Sequence, residues 1–336
     1  MRRFLRLALA LVLTLGVVEI VARVWPAREV IPRPPREPVE DGLPKLRRVA
    51  DLLAKNQRGL YFRELYETNS RGIRDRDYEI PKPDGVFRIV VTGGSNVMGS
   101  WVAEPSTYAA QLEQRLEAEV GPRFEVVNVA FAGLNVEHSV ERLERQGRPY
   151  EPDLIVYGFN LTDIRLRGRY RTTPRRKPRS RPERSRSALV AALQDGLDEL
   201  DRVRRAPGTY AAEVHDNYFD NPAAWAGFEA HLDRLAAIGA DEDACVVVLL
   251  HTEPTSLHPF HPFRAVYDRV ADAAVDRGMI VAPSFDLYEE ENPRSLWASK
   301  VDRHANERSH ALLAEALERS LGTLPGACWK GRRPPL

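Results

Sequence analysis

The chain has 336 residues, 43% of them hydrophobic, enough for one large domain or two ordinary ones with a sizeable core. Its 49 Lys and Arg stand against 48 Asp and Glu, and a net charge of +1 excludes a surface tuned as a whole to nucleic acid. Two cysteines exclude a disulfide framework.

The N-terminus reads MRRFLR and then LALALVLTLGVVEIVARVW, apolar over roughly 20 residues, the length of a bilayer-spanning helix. Glu19 sits near its outer end and Arg23 can snorkel, so residues 5–24 are expected to cross the membrane. Arg2, Arg3 and Arg6 place the N-terminus in the cytoplasm and the rest of the chain outside it, on the periplasmic or cell-surface side. Nothing after Val18 offers a small-residue cleavage site, so residues 1–25 are read as an uncleaved anchor in preference to a signal peptide.

Residues 26–60 follow as a stalk and connector. IPRPPREPVEDGLP is proline-rich and charged, and extended chain suits it. A short helical stretch is expected around Leu46 to Gln57, then a polar connector.

A βα rhythm begins at residue 87. Short apolar runs predict strands at 87–91 (FRIVV), 124–130 (FEVVNVA), 153–159 (DLIVYGF), 244–250 (ACVVVLL) and 278–283 (GMIVAP). Amphipathic patterns between and after them predict helices at 107–120, 136–145, 224–238, 262–277 and 306–321. Near-continuous apolar strands alternating with helices imply a parallel sheet covered on both faces. Residues 326–336 read as a C-terminal tail.

One segment interrupts the rhythm: residues 165–187 carry eleven basic side chains against the single acid Glu183. No core can form from it, and it reads as a surface insertion. Outside the cytoplasm its charge suits anionic lipid headgroups or acidic polysaccharide, and a purely solvated loop equally well. No nucleic acid is expected as a partner.

Cys245 falls in an apolar run and Cys328 near the C-terminus. An oxidising compartment permits their pairing, but a buried free thiol is the commoner fate of a strand cysteine, and free thiols are the expectation.

The chemistry concentrates on TGGSNVMGS, where the first βα strand breaks into Gly93-Gly94 and delivers Ser95. A helix-capping turn is one reading. A phosphate cradle is another, weakened by the absence of both G-x-G-x-x-G and a P-loop lysine. The third is a nucleophile at the carboxyl end of a strand, where open α/β sheets bind ligands. A serine nucleophile needs an imidazole to take its proton and a carboxylate to orient the ring. VDRHAN, just before the last helix, supplies Asp302 and His304 near the same edge.

In this order and topology the motifs resemble those of the SGNH, or GDSL-type, hydrolase superfamily. TGGSNVMGS is similar to the G-D-S motif, with Ser95 at the nucleophile and its amide as an oxyanion donor; VNVAFAGLN resembles the second motif, with Gly133 as a second donor. GFNLTD resembles G-x-N-D, which makes Asn160 the side-chain oxyanion donor, with Thr162 as the fallback if the motif is counted back from Asp163. VDRHAN resembles the last motif, with Asp302 and His304 completing the triad and Asp163 a weaker orienting carboxylate that reads as loop support. The upstream TNSRGIRDRDYEIPKPDGVFRI is similar to the lead-in of membrane-anchored bacterial members. Gly94 departs from the usual aspartate, and D-x-H from the commoner D-x-x-H.

The resemblance implies a three-layer α/β/α sandwich over residues 61–325 with a parallel, flavodoxin-like sheet. It implies a serine-dependent ester hydrolase acting outside the cytoplasm on an ester-bearing small molecule, lipid or acylated polysaccharide, with no metal or organic cofactor. An O-acyltransferase of the same fold, or a weakened binding protein for envelope glycan or lipid, are the alternatives.

His251, His258 and His261 are too irregularly spaced for a metal site. His310 reads as a helix-face residue, His138 as a helix-start or cleft residue, and Trp101 and Tyr108 as core before pocket wall.

Overall fold

The computed structural model describes residues 14, 16–17, 42–62, 64–121, 123–164, 210–255, 257, 261–299 and 302–331. By internal packing the chain divides into one unit of residues 30–165 and 214–336 and another of residues 1–29 and 166–213. The second is described only at residues 14, 16, 17 and 210–213, which are helical. The expected membrane helix at 5–24 and the basic insertion at 165–187 therefore lie almost wholly outside the described residues. Among the described residues no helix is long and apolar enough to cross a membrane.

In chain order the described elements are helix α1 (Val49–Leu52), strands β1 (Arg58–Tyr61), β2 (Glu64–Glu67) and β3 (Phe87–Gly93), helices α2 (Ser95–Met98) and α3 (Tyr108–Val120), and strand β4 (Phe124–Asn128). Then come α4 (Val136–Arg142), β5 (Leu154–Phe159), α5 (Tyr210–His215), α6 (Pro222–Asp241) and β6 (Cys245–Leu250). Helix α7 (Arg264–Val275), β7 (Ile280–Pro283), α8 (Phe285–Glu289) and α9 (Glu307–Gly322) complete the series.

Strands β3 to β7 form one five-stranded parallel sheet in the order β4-β3-β5-β6-β7. All five are the apolar runs read from the sequence. Alternation along each strand divides their side chains between two faces. Ile89, Val91, Leu154, Val156, Val247 and Leu249 point into one core with Leu112 and Leu116 of α3 and Leu313 and Leu317 of α9. On the other face Phe159 meets the rings of Tyr218, Phe228 and Tyr267.

The helices start where a side chain can take the first free amides. Thr107 accepts from Ala110 at α3, Asn221 from Ala224 at α6 and Asn306 from Ser309 at α9. The crossover from β3 to β4 uses α3 on one face, whereas α6, between β5 and β6, lies on the other. The chain thus switches sides between β3 and β5, and the loops leaving their carboxyl ends border the crevice where such sheets bind ligands.

Three expectations are corrected. Cys245 and Cys328 are joined by a disulfide bond. Cys245 is the first, half-buried residue of β6 rather than an interior one, and the C-terminal segment folds back onto it.

That segment is no tail as far as Gly331. Trp329, fully buried, packs against the rings of Phe87 and Phe124, and Lys330 Nζ lies 3.4 Å from a carboxylate oxygen of Asp153.

Residues 45–60 are no free connector. Leu46 and Leu52 are buried, the Leu46 amide donates to the Leu60 carbonyl at 2.8 Å, and β1 pairs antiparallel with β2. The helix expected over 46–57 shrinks to α1.

Candidate active site

The site is built where β3 ends. Gly93 faces Gly158 of β5 across the ladder, and there is no room for a side chain between them: a Cβ on Gly93 would fall 2.4 Å from Val97 Cγ2 and 2.9 Å from the Gly158 carbonyl oxygen. The chain passes through Gly94 directly into α2, whose first residue is Ser95. Ser95 therefore stands at the sheet's carboxyl edge, its N–H among those that helix geometry leaves without an intrahelical acceptor.

Two buried side chains hold this turn from behind. Arg74, on the lead-in segment, donates to the carbonyls of Met98, Gly99, Val102 and Leu65 at 3.0, 2.6, 2.8 and 3.2 Å. Asn128, at the end of β4, donates to the Val97 carbonyl at 2.9 Å.

The loop before α9 brings the second group. Ser95 Oγ lies 2.9 Å from His304 Nε2, and His304 Nδ1 lies 2.6 Å from Asp302 Oδ1. The short D-x-H spacing works because the Asp302 oxygen also accepts the His304 backbone N–H at 3.0 Å, closing an Asx-type turn that folds the carboxylate onto its own imidazole. Backbone bonds from Ala298 to the His304 carbonyl and from Ser299 to the Asp302 carbonyl hold that loop. With Asp302 accepting at Nδ1, the neutral ring presents Nε2 as an acceptor to the serine hydroxyl.

Asn160 stands on the neighbouring loop, which follows β5. The loop after β5 is tied by Asp163, whose Oδ2 accepts from the Asn160 backbone at 2.9 Å and from the Tyr157 hydroxyl at 2.5 Å. Burial pushes the Asp163 carboxyl up to about 7. Its bonds run to its own loop, as the loop-support reading expects, and none reaches His304.

The Asn160 side chain donates to the Gly158 carbonyl at 3.2 Å and accepts from Asn96 at 2.9 Å; its second amide hydrogen has no acceptor among the described residues. Thr162 is exposed on the crown of the turn and makes none of these bonds. Gly133, at φ +81, is exposed, with open space where its Cβ would stand.

Of the expected site residues, Ser95, His304 and Asp302 form one hydrogen-bonded chain, Asn160 is linked to it through Asn96, and Thr162 stands apart. Asn96 escaped the sequence reading. An amide beside the serine was the only available signal, and nothing local distinguishes it from a helix-surface residue.

The remaining candidates disperse. His251 and His310 are buried against the Tyr108 ring, the first edge-on and the second stacked, and His310 Nδ1 accepts from the Tyr108 amide at 3.1 Å. His310 is thus a core residue. Burial pulls each imidazole down to about 3. His261 bonds the Glu253 carbonyl, His138 packs on its helix cap Asn135, and His258 lies outside the described residues.

Tyr108 is core, but Trp101 is half-buried, stacks on Phe62 and lines a cavity of about 590 Å³ with Lys45, Arg47, Leu60 and Tyr61. None of Ser95, His304 or Asn160 borders that cavity.

No protein-family model and no curated protein matches the chain. Among solved structures it is similar to Axe2, an acetylxylan esterase from Geobacillus stearothermophilus, at 17% identity over 71% of this chain and 96% of that one, with a TM-score of 0.45. A member of the lipolytic protein G-D-S-L family from Veillonella parvula DSM 2008 gives 14% over 71% and 100%, TM-score 0.44. TesA gives 15% over 70% and 97%, TM-score 0.40. What the site can do is read from its side chains.

Proposed function

We propose that the protein is a serine-dependent ester hydrolase. The observation that carries this reading is the chain Ser95–His304–Asp302, with contacts of 2.9 and 2.6 Å at the carboxyl edge of a parallel sheet. A hydroxyl becomes a competent nucleophile when an oriented imidazole accepts its proton, and an orienting carboxylate stabilises the imidazolium that results.

In this reading Ser95 Oγ attacks the ester carbonyl as its proton passes to His304 Nε2. The oxyanion is met by the amides of Ser95 and Gly133 and by the unpaired N–H of Asn160. The tetrahedral adduct collapses, the departing alkoxide takes the proton from His304, and water, deprotonated by the same ring, releases the acid. No step calls on a metal or organic cofactor.

The site is read as extracytoplasmic, on a domain anchored through residues 5–24. The basic N-terminal flank supports this, and so does the Cys245–Cys328 bond, since disulfides persist in oxidising compartments. The substrate is an ester-bearing small molecule, lipid or acylated polysaccharide.

The test is to expose the full-length protein, solubilised in detergent, to p-nitrophenyl acetate and to a serine-reactive fluorophosphonate. Turnover and labelling that both vanish in Ser95→Ala are expected. A folded wild-type protein that does neither would sink the proposal.

A further inference from the structure

We infer that Asn96 is a positioning residue that fixes which end of the Asn160 amide faces the oxyanion position; this rests on the reading of Ser95 and Asn160 given above. The two ends of an asparagine amide are set by their hydrogen-bond partners. Here one partner is unambiguous. The Ala305 backbone N–H can only donate, and it points at Asn96 from 3.0 Å, so the Asn96 atom there is Oδ1. The other end of Asn96 is therefore its NH2 group.

That NH2 lies 2.9 Å from the Asn160 side chain and must meet an acceptor, so Asn160 turns Oδ1 toward it. The Asn160 NH2 is then left on the opposite side, where one hydrogen goes to the Gly158 carbonyl at 3.2 Å and the other is unclaimed. A donor is what a developing oxyanion requires, and the reverse orientation would present an oxygen lone pair to it. Three amides in series, beginning with a backbone N–H that cannot be inverted, leave the Asn160 side chain one orientation.

The same relay ties helix α2 to two loops. Asn96 follows Ser95, Asn160 belongs to the loop after β5, and Ala305 follows His304. The residue beside the nucleophile thereby couples the histidine loop to the oxyanion loop.

The substitution that discriminates is Asn96→Asp, which keeps size and shape. A carboxylate still accepts from Ala305 but has no hydrogen to offer, and it repels Asn160 Oδ1. Asn160 then rotates its NH2 toward the new carboxylate and loses the oxyanion donor. In the full-length protein, Asn160→Ala is expected to lower kcat for p-nitrophenyl acetate by about 100- to 1000-fold. Asn96→Asp should approach that loss with KM little changed, and Asn96→Asp added to Asn160→Ala should cost nothing more.

Multiplying losses in the double variant, or a wild-type rate in Asn96→Asp, would overturn the inference and leave the hydrolase reading standing. If the wild type is inactive, or Ser95→Ala keeps the activity, the hydrolase reading fails and a second readout decides the relay alone. With asparagine side chains labelled with nitrogen-15, the NH2 signal of Asn160, assigned by its loss in Asn160→Ala, should shift in Asn96→Asp. An unmoved signal refutes the relay whatever the activity.

Discussion

The carbonyl oxygen of Leu134 lies 3.0 Å from the point where a Cβ on Gly94 would stand. The loop carrying Gly133 therefore closes over the turn that delivers Ser95 at a distance only a glycine tolerates comfortably. The glycine that departs from G-D-S is thus matched to its surroundings. A Cβ there makes the Leu134 carbonyl, and the loop that carries it, give way by a few tenths of an ångström.

Gly94→Asp is accordingly expected to harm the protein. Overpacking of this kind costs about 1–3 kcal/mol. Thermal melting should show the loss, and turnover of p-nitrophenyl acetate should fall; a faster enzyme would contradict the packing argument.

Asp302→Asn keeps the shape of the Asx-type turn but offers His304 a neutral partner. A drop in kcat of about 10⁴-fold is the measured scale for such a change in a Ser-His-Asp triad. Asp163→Asn, by contrast, alters the oxyanion loop without touching His304, so its activity should far exceed that of Asp302→Asn. Steady-state kinetics on the two variants checks the assignment of the orienting carboxylate.

The buried imidazoles make stability depend on pH. His251 and His310 are held neutral in the fold down to about pH 3, whereas in the unfolded chain they bind protons below about 6.5. Their contribution is complete above pH 6.5 and is lost as pH falls toward 3, at about 1.4 kcal/mol per pH unit for each ring. Asp163 has the opposite sign: its carboxyl is raised to about 7, so its contribution is complete below the unfolded value and is lost as pH rises through 7.

Urea unfolding between pH 4.5 and 6 should therefore show a slope that falls by about 1.4 kcal/mol per unit in His310→Asn and rises by as much in Asp163→Asn. Asparagine can still accept from the Tyr108 amide in the first variant. Slopes unchanged from wild type would mean that these groups are solvated.

The disulfide should matter to the whole domain. It closes a loop 83 residues long, and bridges of this kind contribute about 2–4 kcal/mol. Cys328→Ser, or reduction of the wild type, is expected to lower the urea midpoint by a corresponding amount, with Ser95 still reactive toward fluorophosphonate below the new transition.

The five strands of the sheet were legible because largely buried parallel strands leave short, predominantly apolar runs, and the long helices because their apolar faces repeat at helical spacing. The hairpin β1–β2 was not. Its burial alternates weakly, with Glu64 and Tyr66 turned inward between half-exposed neighbours, and a charged inward residue hides the period.

Ser95, His304 and Asp302 could be read because each sits next to a strand end or helix start that the pattern already fixes. Asn96, Arg74 and Asn128 act through contacts made across 9 to 209 positions of chain, and no local pattern announces them. The pairing of Cys245 with Cys328 was hidden for the same reason: its partner is brought there by Trp329 packing on Phe87 and Phe124.

That last packing also fixes where the chain can be held. Phe87, Phe124 and Cys245 begin β3, β4 and β6, so Cys328 and Trp329 seal the amino edge of the sheet, while Ser95 stands at the carboxyl edge. A tether, fluorophore or affinity handle attached at Lys330 or Gly331 would leave from the floor of the domain. A protein immobilised that way turns its reactive crevice toward the solution.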